Sequence, residues 1–299
     1  MENFFGGLNR PFSIVRGDVS RDMRIYMLWD MEGVSGLFTR EQAWHWEDRS
    51  TPEAYAEGKT LLIDDINASV KAALDAGADE LIVADTHSGG GNIELDRMFQ
   101  DQRVSYRERA AERGGDIRYW MRDLETCDGL MLMGHHAKAG TEGAFLPHTW
   151  TSEWADVRIN GQSVGELGIE ACFGGHWNVP FMVAQGDDYT ESEVEATYPG
   201  TLMAAVKRAE GNDLCSGADP QSARELTASC VAEAVTRGPD AFEPYAPNLP
   251  MTVTIFYHDE AGAEKASVRP MVTRVDALTV ESTLEQRCDV VKWILDVGR

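Results

Sequence analysis

Three short apolar runs in this chain each end in residues that bind metal ions, and that repetition constrains the fold more than any other feature. The first run, residues 25–29 (IYMLW), leads straight into Asp30-Met31-Glu32-Gly33. Strand side chains alternate in direction, so Asp30 and Glu32 leave the end of the run on the same side. Two carboxylates held so close repel one another unless a positive group, most simply a metal ion, lies between them. The second run, 80–84 (ELIVA), leads into Asp85-Thr86-His87-Ser88, and the third, 129–133 (GLMLM), into Gly134-His135-His136. Between the first two lies a helical stretch that opens at Thr51-Pro52-Glu53, carries Leu62, Ile66, Val70 and Leu74 on one stripe, and stops at Gly77. A Ser/Thr cap, a proline in the first turn and a glycine after the last turn are the ordinary helix boundaries. Strand, helix and strand in this order point to a parallel sheet flanked by helices, whose ligands collect outside the carboxyl ends of the strands.

The rest of the chain extends that pattern and then departs from it. Residues 157–164 read as a hairpin turning at Asn160-Gly161, a pair favoured in type I′ turns. A helix starts at Gly165-Glu166, and residues 179–184 form a fourth core strand. Beyond Tyr189 the texture changes: helices over 191–208 and 221–237, a proline-rich link over 239–250, strands over 251–257 and 272–280, and a last helix over 285–295. The fold class is therefore α/β, a mainly parallel helix-flanked sheet with a second, smaller α+β lobe. The chain divides into an N-terminal extension (1–22) that packs on the surface or on a neighbouring subunit, a metal-binding catalytic domain (23–189), and a lobe (190–299) that closes the site or builds an oligomer.

Asp30, Glu32, His87, His136 and Glu166 are more ligands than one catalytic zinc takes, because three protein ligands leave room for water. They suit a two-metal site with a bridging carboxylate. Nitrogen and oxygen donors without thiolate fit two Zn2+ per chain, with Mn2+ or Co2+ as substitutes. Such a pair activates water and polarises a carbonyl or phosphoryl oxygen, so hydrolysis is the reaction class. His148, on the loop after the third run, is a candidate general acid or base, or a donor to an oxyanion. His135 competes for that role, but neighbours on extended chain rarely face the same way. Trp44, Trp46 and Trp150 form a candidate substrate-pocket wall, with His135 assigned to the same pocket. His45, His176 and His258 sit in no comparable context. There is no GxGxxG after a strand, no phosphate-binding GxxxxGK[ST] and no GxSxG elbow.

Composition closes off other classes. A net charge of −23 leaves no basic surface for nucleic acid. No apolar run approaches the roughly 18 residues needed to span a bilayer, so no membrane partner is expected. The five cysteines, Cys127, Cys172, Cys215, Cys230 and Cys288, show no CxxC spacing. They read as reduced core thiols in a cytoplasmic protein.

The motifs YMLWDMEGVSG, VADTHS, GHHAKAGTEG with the later PH, NGQSVGELG and VPFMVAQGDD occur in order from about Met23 to Asp188. As a set they resemble the D-aminopeptidase zinc metallopeptidases of peptidase family M55, with weaker likeness through residues 203–207. The resemblance implies that Asp30, Glu32, His87, His136 and Glu166 bind two zinc ions, that Asp30 bridges them, and that His148 is catalytic. It also implies a ring-shaped homo-oligomer, a decamer, that releases N-terminal D-amino acids from short peptides or amides. Several features depart from the family pattern: His135 in place of tyrosine, the glycine triplet after Ser88, a longer segment before His148, the N-terminal extension, and the cluster Trp44, Trp46, Trp150 and Trp154. None replaces any of the five ligands, and all bear on substrate choice. The expected activity is a dinuclear zinc aminopeptidase or amidase. The alternatives are a metallohydrolase of a non-peptide amide or phosphoester, and a metal-stabilised binding or assembly protein without catalysis.

Overall fold

The computed structural model describes residues 22–108 and 120–297. Residues 1–21 of the expected extension, and 109–119 of the polar stretch before the third apolar run, lie outside the described residues.

The first strand, β1 (Arg24–Trp29), is buried from Ile25 onward. Tyr26 and Leu28 enter one core cluster, while Ile25, Met27 and Trp29 enter another. A continuous apolar run is what a parallel strand covered on both faces requires. After a short helix, α1 (Arg40–Ala43), comes α2 (Pro52–Asp75), whose Thr51 cap oxygen accepts from the Ala54 N–H at 3.1 Å. Next in order are β2 (Glu80–Asp85), β3 (Val104–Arg107), β4 (Gly129–Met133), the hairpin β5 (Trp154–Ile159) and β6 (Gln162–Ser163), and α3 (Glu166–Gly175). The chain continues through β7 (Phe181–Asp187), α4 (Asp188–Thr197), β8 (Leu202–Ala209), β9 (Cys215–Ser216) and α5 (Pro220–Arg237). It ends with β10 (Met251–Tyr257), α6 (Glu260–Ser267), β11 (Thr273–Arg274), β12 (Thr279–Leu284) and α7 (Asp289–Val297).

Seven strands form one sheet in the order β3-β2-β1-β4-β7-β8-β9, parallel except for the β8–β9 pair. Leu62, Ile66 and Val70 of α2, with Val231 and Val235 of α5, cover one face of it. The other face meets Leu167, Ile169 and Phe173 of α3, Val290 and Ile294 of α7, and the second sheet. That second sheet is five-stranded and antiparallel, in the order β11-β12-β10-β5-β6. From β1 the chain builds outward through β2 and β3, then returns to the other side of β1 with β4. The crevice between the carboxyl ends of β1 and β4 is therefore the topological switch point of the sheet, where ligands bind in open α/β folds.

The α/β class with its helix-flanked, mainly parallel sheet is observed, and three expectations need correction. The helix expected over 191–208 stops at Thr197, and β8 follows. Pro199-Gly200, with Gly200 at φ +93°, ends the helix, and the next residues pair with the exposed edge of β7 despite good helix formers such as Leu202, Met203 and Ala204. The strand expected over 272–280 is a hairpin of β11 and β12. The last helix begins at Asp289 rather than 285. As a result the expected boundary at 189/190 does not separate the two sheets. β8 and β9 lie beyond it yet join the first sheet, while β5 and β6 lie before it yet belong to the second.

Candidate metal centre

Asp30 and Glu32 follow β1, His87 follows β2, His136 follows β4, and Glu166 opens α3, where the helix N-terminus favours a carboxylate. The loops after β1 and β4 are pressed together, the Gly33 N–H donating to the Gly134 carbonyl at 2.6 Å. A Cβ on Gly33 would lie 2.0 Å from the His135 carbonyl oxygen, so no larger residue permits this crossing without moving both loops.

All five groups are buried. His87 Nδ1 lies 2.9 Å from Asp30 Oδ1 and 3.1 Å from Glu32 Oε2. His136 Nε2 lies 3.5 Å from Asp30 Oδ2 and 3.5 Å from Glu166 Oε1. Asp30 thus turns one oxygen toward each imidazole. Donors around a tetrahedral ion with bonds of about 2.0–2.1 Å stand roughly 3.3 Å apart, so these separations are the size that donors to a common ion need.

The remaining ring nitrogens sharpen the point. His87 Nε2–H donates to the Ala43 carbonyl and His136 Nδ1–H to the Ala137 carbonyl, each at 3.0 Å. A carbonyl can only accept, so in each neutral ring the lone pair faces carboxylate oxygens. That contact is repulsive until a proton or a cation enters it, and an N–H anchored on backbone is the usual support of a metal-binding histidine. His136 Nε2 is also buried without a hydrogen-bond partner.

Burial disfavours the charged form of both rings, yet the facing carboxylates overcome it and raise the pKa of each well above the ordinary value. Burial likewise opposes ionisation of Glu32 and Glu166. The histidines outweigh it, holding Glu32 well below the usual carboxylate range and Glu166 at about 2. The site is a set of buried anions that stays charged only with positive charge among them.

His148 behaves differently. Its Nδ1–H donates to the Leu146 carbonyl at 2.9 Å, leaving the Nε2 lone pair 3.7 Å from Glu166 Oε1. Its ring stacks on His136 with centroids 3.9 Å apart. Burial, and then the charge of His136, push its pKa below the ordinary value, so the ring is neutral at pH 7. Leu146 and Trp150, on either side of it, have φ of +46° and +64°, a strained conformation for bulky residues. Glu166 Oε1 pins the loop by accepting the Trp150 N–H at 2.7 Å.

Among the described residues the donors form three overlapping groups, Asp30–Glu32–His87, Glu32–His136–His148 and Asp30–His135–Glu166, each with its atoms within 4.8 Å of one another. A cavity of about 400 Å³ opens above them, walled in part by Trp44, Trp46 and Trp150. His135, expected in that wall, lies beneath it instead: the residue is fully buried, with Nε2 3.1 Å from Glu170 Oε2. Its Nδ1 lies 3.9 Å from Asp30 Oδ2, so it reaches the centre from below rather than through the cavity. Burial pushes the Glu170 carboxyl up to about 7 against the pull of His135.

Other supporting residues escaped the sequence reading. Lys207, buried on β8, donates to the carbonyls of Glu32, Val34 and Leu37 and so ties down the loop after β1. Asp85 accepts from the His87 N–H at 3.1 Å and the Asn92 N–H at 2.6 Å, fixing the loop after β2. Trp120 joins the cavity wall. A lysine placed directly after the apolar run 202–206 was the one visible signal for Lys207; the others depend on tertiary contact.

The chain matches the peptidase family M55, described as D-aminopeptidase, over residues 23–295. It is 27% identical over 251 residues to a D-aminopeptidase of Bacillus subtilis (strain 168), an alignment that covers 83% of this chain and 86% of the relative. Its fold is that of the solved Zn-dependent D-aminopeptidase DppA from Bacillus subtilis, described as a self-compartmentalizing protease, with a TM-score of 0.83 and 24% identity over 92% of this chain and 97% of that one.

Proposed function

The chain belongs to the D-aminopeptidase family M55, and from that premise we propose that it is a zinc-dependent aminopeptidase with two ions per chain, acting on short peptides or aminoacyl amides with a free N-terminal D-residue. The observation that carries this reading is the pair of buried imidazoles whose lone pairs face opposite oxygens of Asp30. Glu32 and His87 would hold one ion, His136 and Glu166 the other, with Asp30 bridging. Bound there, zinc supplies Lewis acidity, lowering the pKa of water and polarising the scissile carbonyl.

The protein's own groups do the rest. The neutral His148 Nε2 takes a proton from the attacking water and returns it to the departing amine. Asp85 and Lys207 keep the two ligand loops fixed while charge develops. The tryptophan wall holds the acyl group beside the carboxylates and limits water.

We also propose a ring-shaped homo-oligomer, a decamer, and a cytoplasmic location. The DppA structure, described as that of a self-compartmentalizing protease, supports the first. Five free cysteines support the second, and no helix among the described residues is long and apolar enough to cross a membrane. The test of activity is hydrolysis by zinc-reconstituted protein of matched D- and L-aminoacyl amides, with aryl phosphates alongside. Faster release from the D-amides is the expected result; turnover of phosphates alone would assign the site to phosphoester chemistry.

A further inference from the structure

Indole surface is concentrated at the mouth of the metal centre. On the Glu32–His87 side, Trp44 and Trp46 stack with ring centroids 5.5 Å apart and planes 26° from parallel. Trp46 also stacks over the His87 ring at 5.8 Å. Trp44 is fixed from below, its Nε1–H donating to Glu32 Oε1 at 2.7 Å, and from the side by the Arg40 guanidinium 4.3 Å from its ring centre. On the Glu166 side, Trp120 and Trp150 form a second pair at 5.1 Å. All four line the same cavity of about 400 Å³, a volume within the roughly 300–1,000 Å³ usual for small-molecule sites.

The four indoles do different work. Trp44 is buried, and its N–H orients a carboxylate of the centre. Trp46 is 52% exposed, its apolar area open to solvent at the rim. A large aromatic surface left open beside a polar floor is what a ligand with an apolar body and a polar head would cover. The floor beneath carries Asp30, Glu32, His87, His148 and Glu166, the groups of the proposed centre, which suits the polar amide end of an aminoacyl compound. The rim suits a flat side chain.

We infer that the side chain at the scissile bond is aromatic, stacking on Trp46 with the Trp120–Trp150 pair as the further wall, so that the enzyme favours aromatic over alanyl substrates. This assignment rests on the aminopeptidase reading above and adds the substrate class. Glu32, held by Trp44, serves the reaction itself, whereas Trp46 donates no hydrogen bond to any candidate ligand and acts on side-chain choice.

The test is the ratio of kcat/KM for phenylalanyl amide to that for alanyl amide, in the more active stereochemical series, on zinc-reconstituted full-length protein. Wild type should favour the aromatic amide by tenfold or more, and Trp46→Ala should cut that ratio by about tenfold, the scale of one aromatic stacking contact with its buried area. Trp46→Phe should restore most of it. A wild-type ratio near one, or a ratio unchanged in Trp46→Ala with hydrolysis intact, would overturn the inference. A change in oligomeric state with equal loss on both substrates would overturn it too, by assigning Trp46 to a subunit contact. No hydrolysis of any amide would instead defeat the aminopeptidase reading on which it rests.

Discussion

At the level of single residues, His87 and His136 differ from His148, the proposed general acid–base group, in what their rings face. His87 and His136 face carboxylates with the nitrogen that backbone carbonyls leave over, and both have pKa values raised well above 6.5. Without a cation they carry protons that a metal must displace. Zinc binding at pH 7 should therefore release protons, and affinity should weaken as pH falls through those raised values. Calorimetry in buffers of different ionisation enthalpy reads the release directly; uptake independent of buffer and pH would contradict it. His148 is pushed the other way by burial and by His136, so its neutral form is present above its depressed pKa and lost as pH drops through it. His148→Ala should keep its zinc and lose about 10²–10⁴-fold in kcat, the usual contribution of a general acid–base group. Loss of metal in that variant would make His148 a ligand, in keeping with its place in the Glu32–His136–His148 donor group.

At the level of elements, the centre is built where β1 and β4 part, and much of that was legible in the sequence. Each apolar run ended in its ligand because a strand buried on both faces must be apolar until it reaches the edge of the sheet. Gly33, next to the two carboxylates, is where the chain after β1 crosses the chain after β4, and a Cβ there would strike that backbone. What stayed hidden was β8. Leu202, Met203 and Ala204 are good helix formers, and only the unpaired edge of β7 made them a strand. Its misreading also concealed Lys207, whose ammonium reaches three carbonyls of the loop after β1. Replacing Lys207 by methionine should leave those carbonyls short of a partner, destabilise the fold by about 3 kcal/mol, and lower zinc affinity by loosening Glu32. Urea denaturation with a zinc titration checks both; a variant as stable as wild type would show that the lysine is dispensable.

At the scale of the whole molecule, the two sheets interleave along the chain, so the expected boundary near Tyr189 does not fall between them. Texture along the sequence changes near Tyr189, yet β5 and β6 had already entered the second sheet and β8 and β9 were still to join the first. Domain limits read from composition assume that sheets are contiguous in the chain, and here they are not. The interleaving places the proposed ligands together: α3 follows the β5–β6 hairpin directly, so Glu166 at its start comes from the second sheet's connection to the candidate ligands of the first. The two sheets thus meet at the proposed metal centre, and its occupancy is the central claim. The direct measurement is zinc per chain in purified, metal-reconstituted protein, for wild type and Asp30→Ala. The account predicts about two equivalents in wild type and a sharp fall in the variant, because Asp30 turns one oxygen toward each imidazole. A wild-type protein that takes up no zinc, or an Asp30→Ala protein that retains both equivalents, would contradict it.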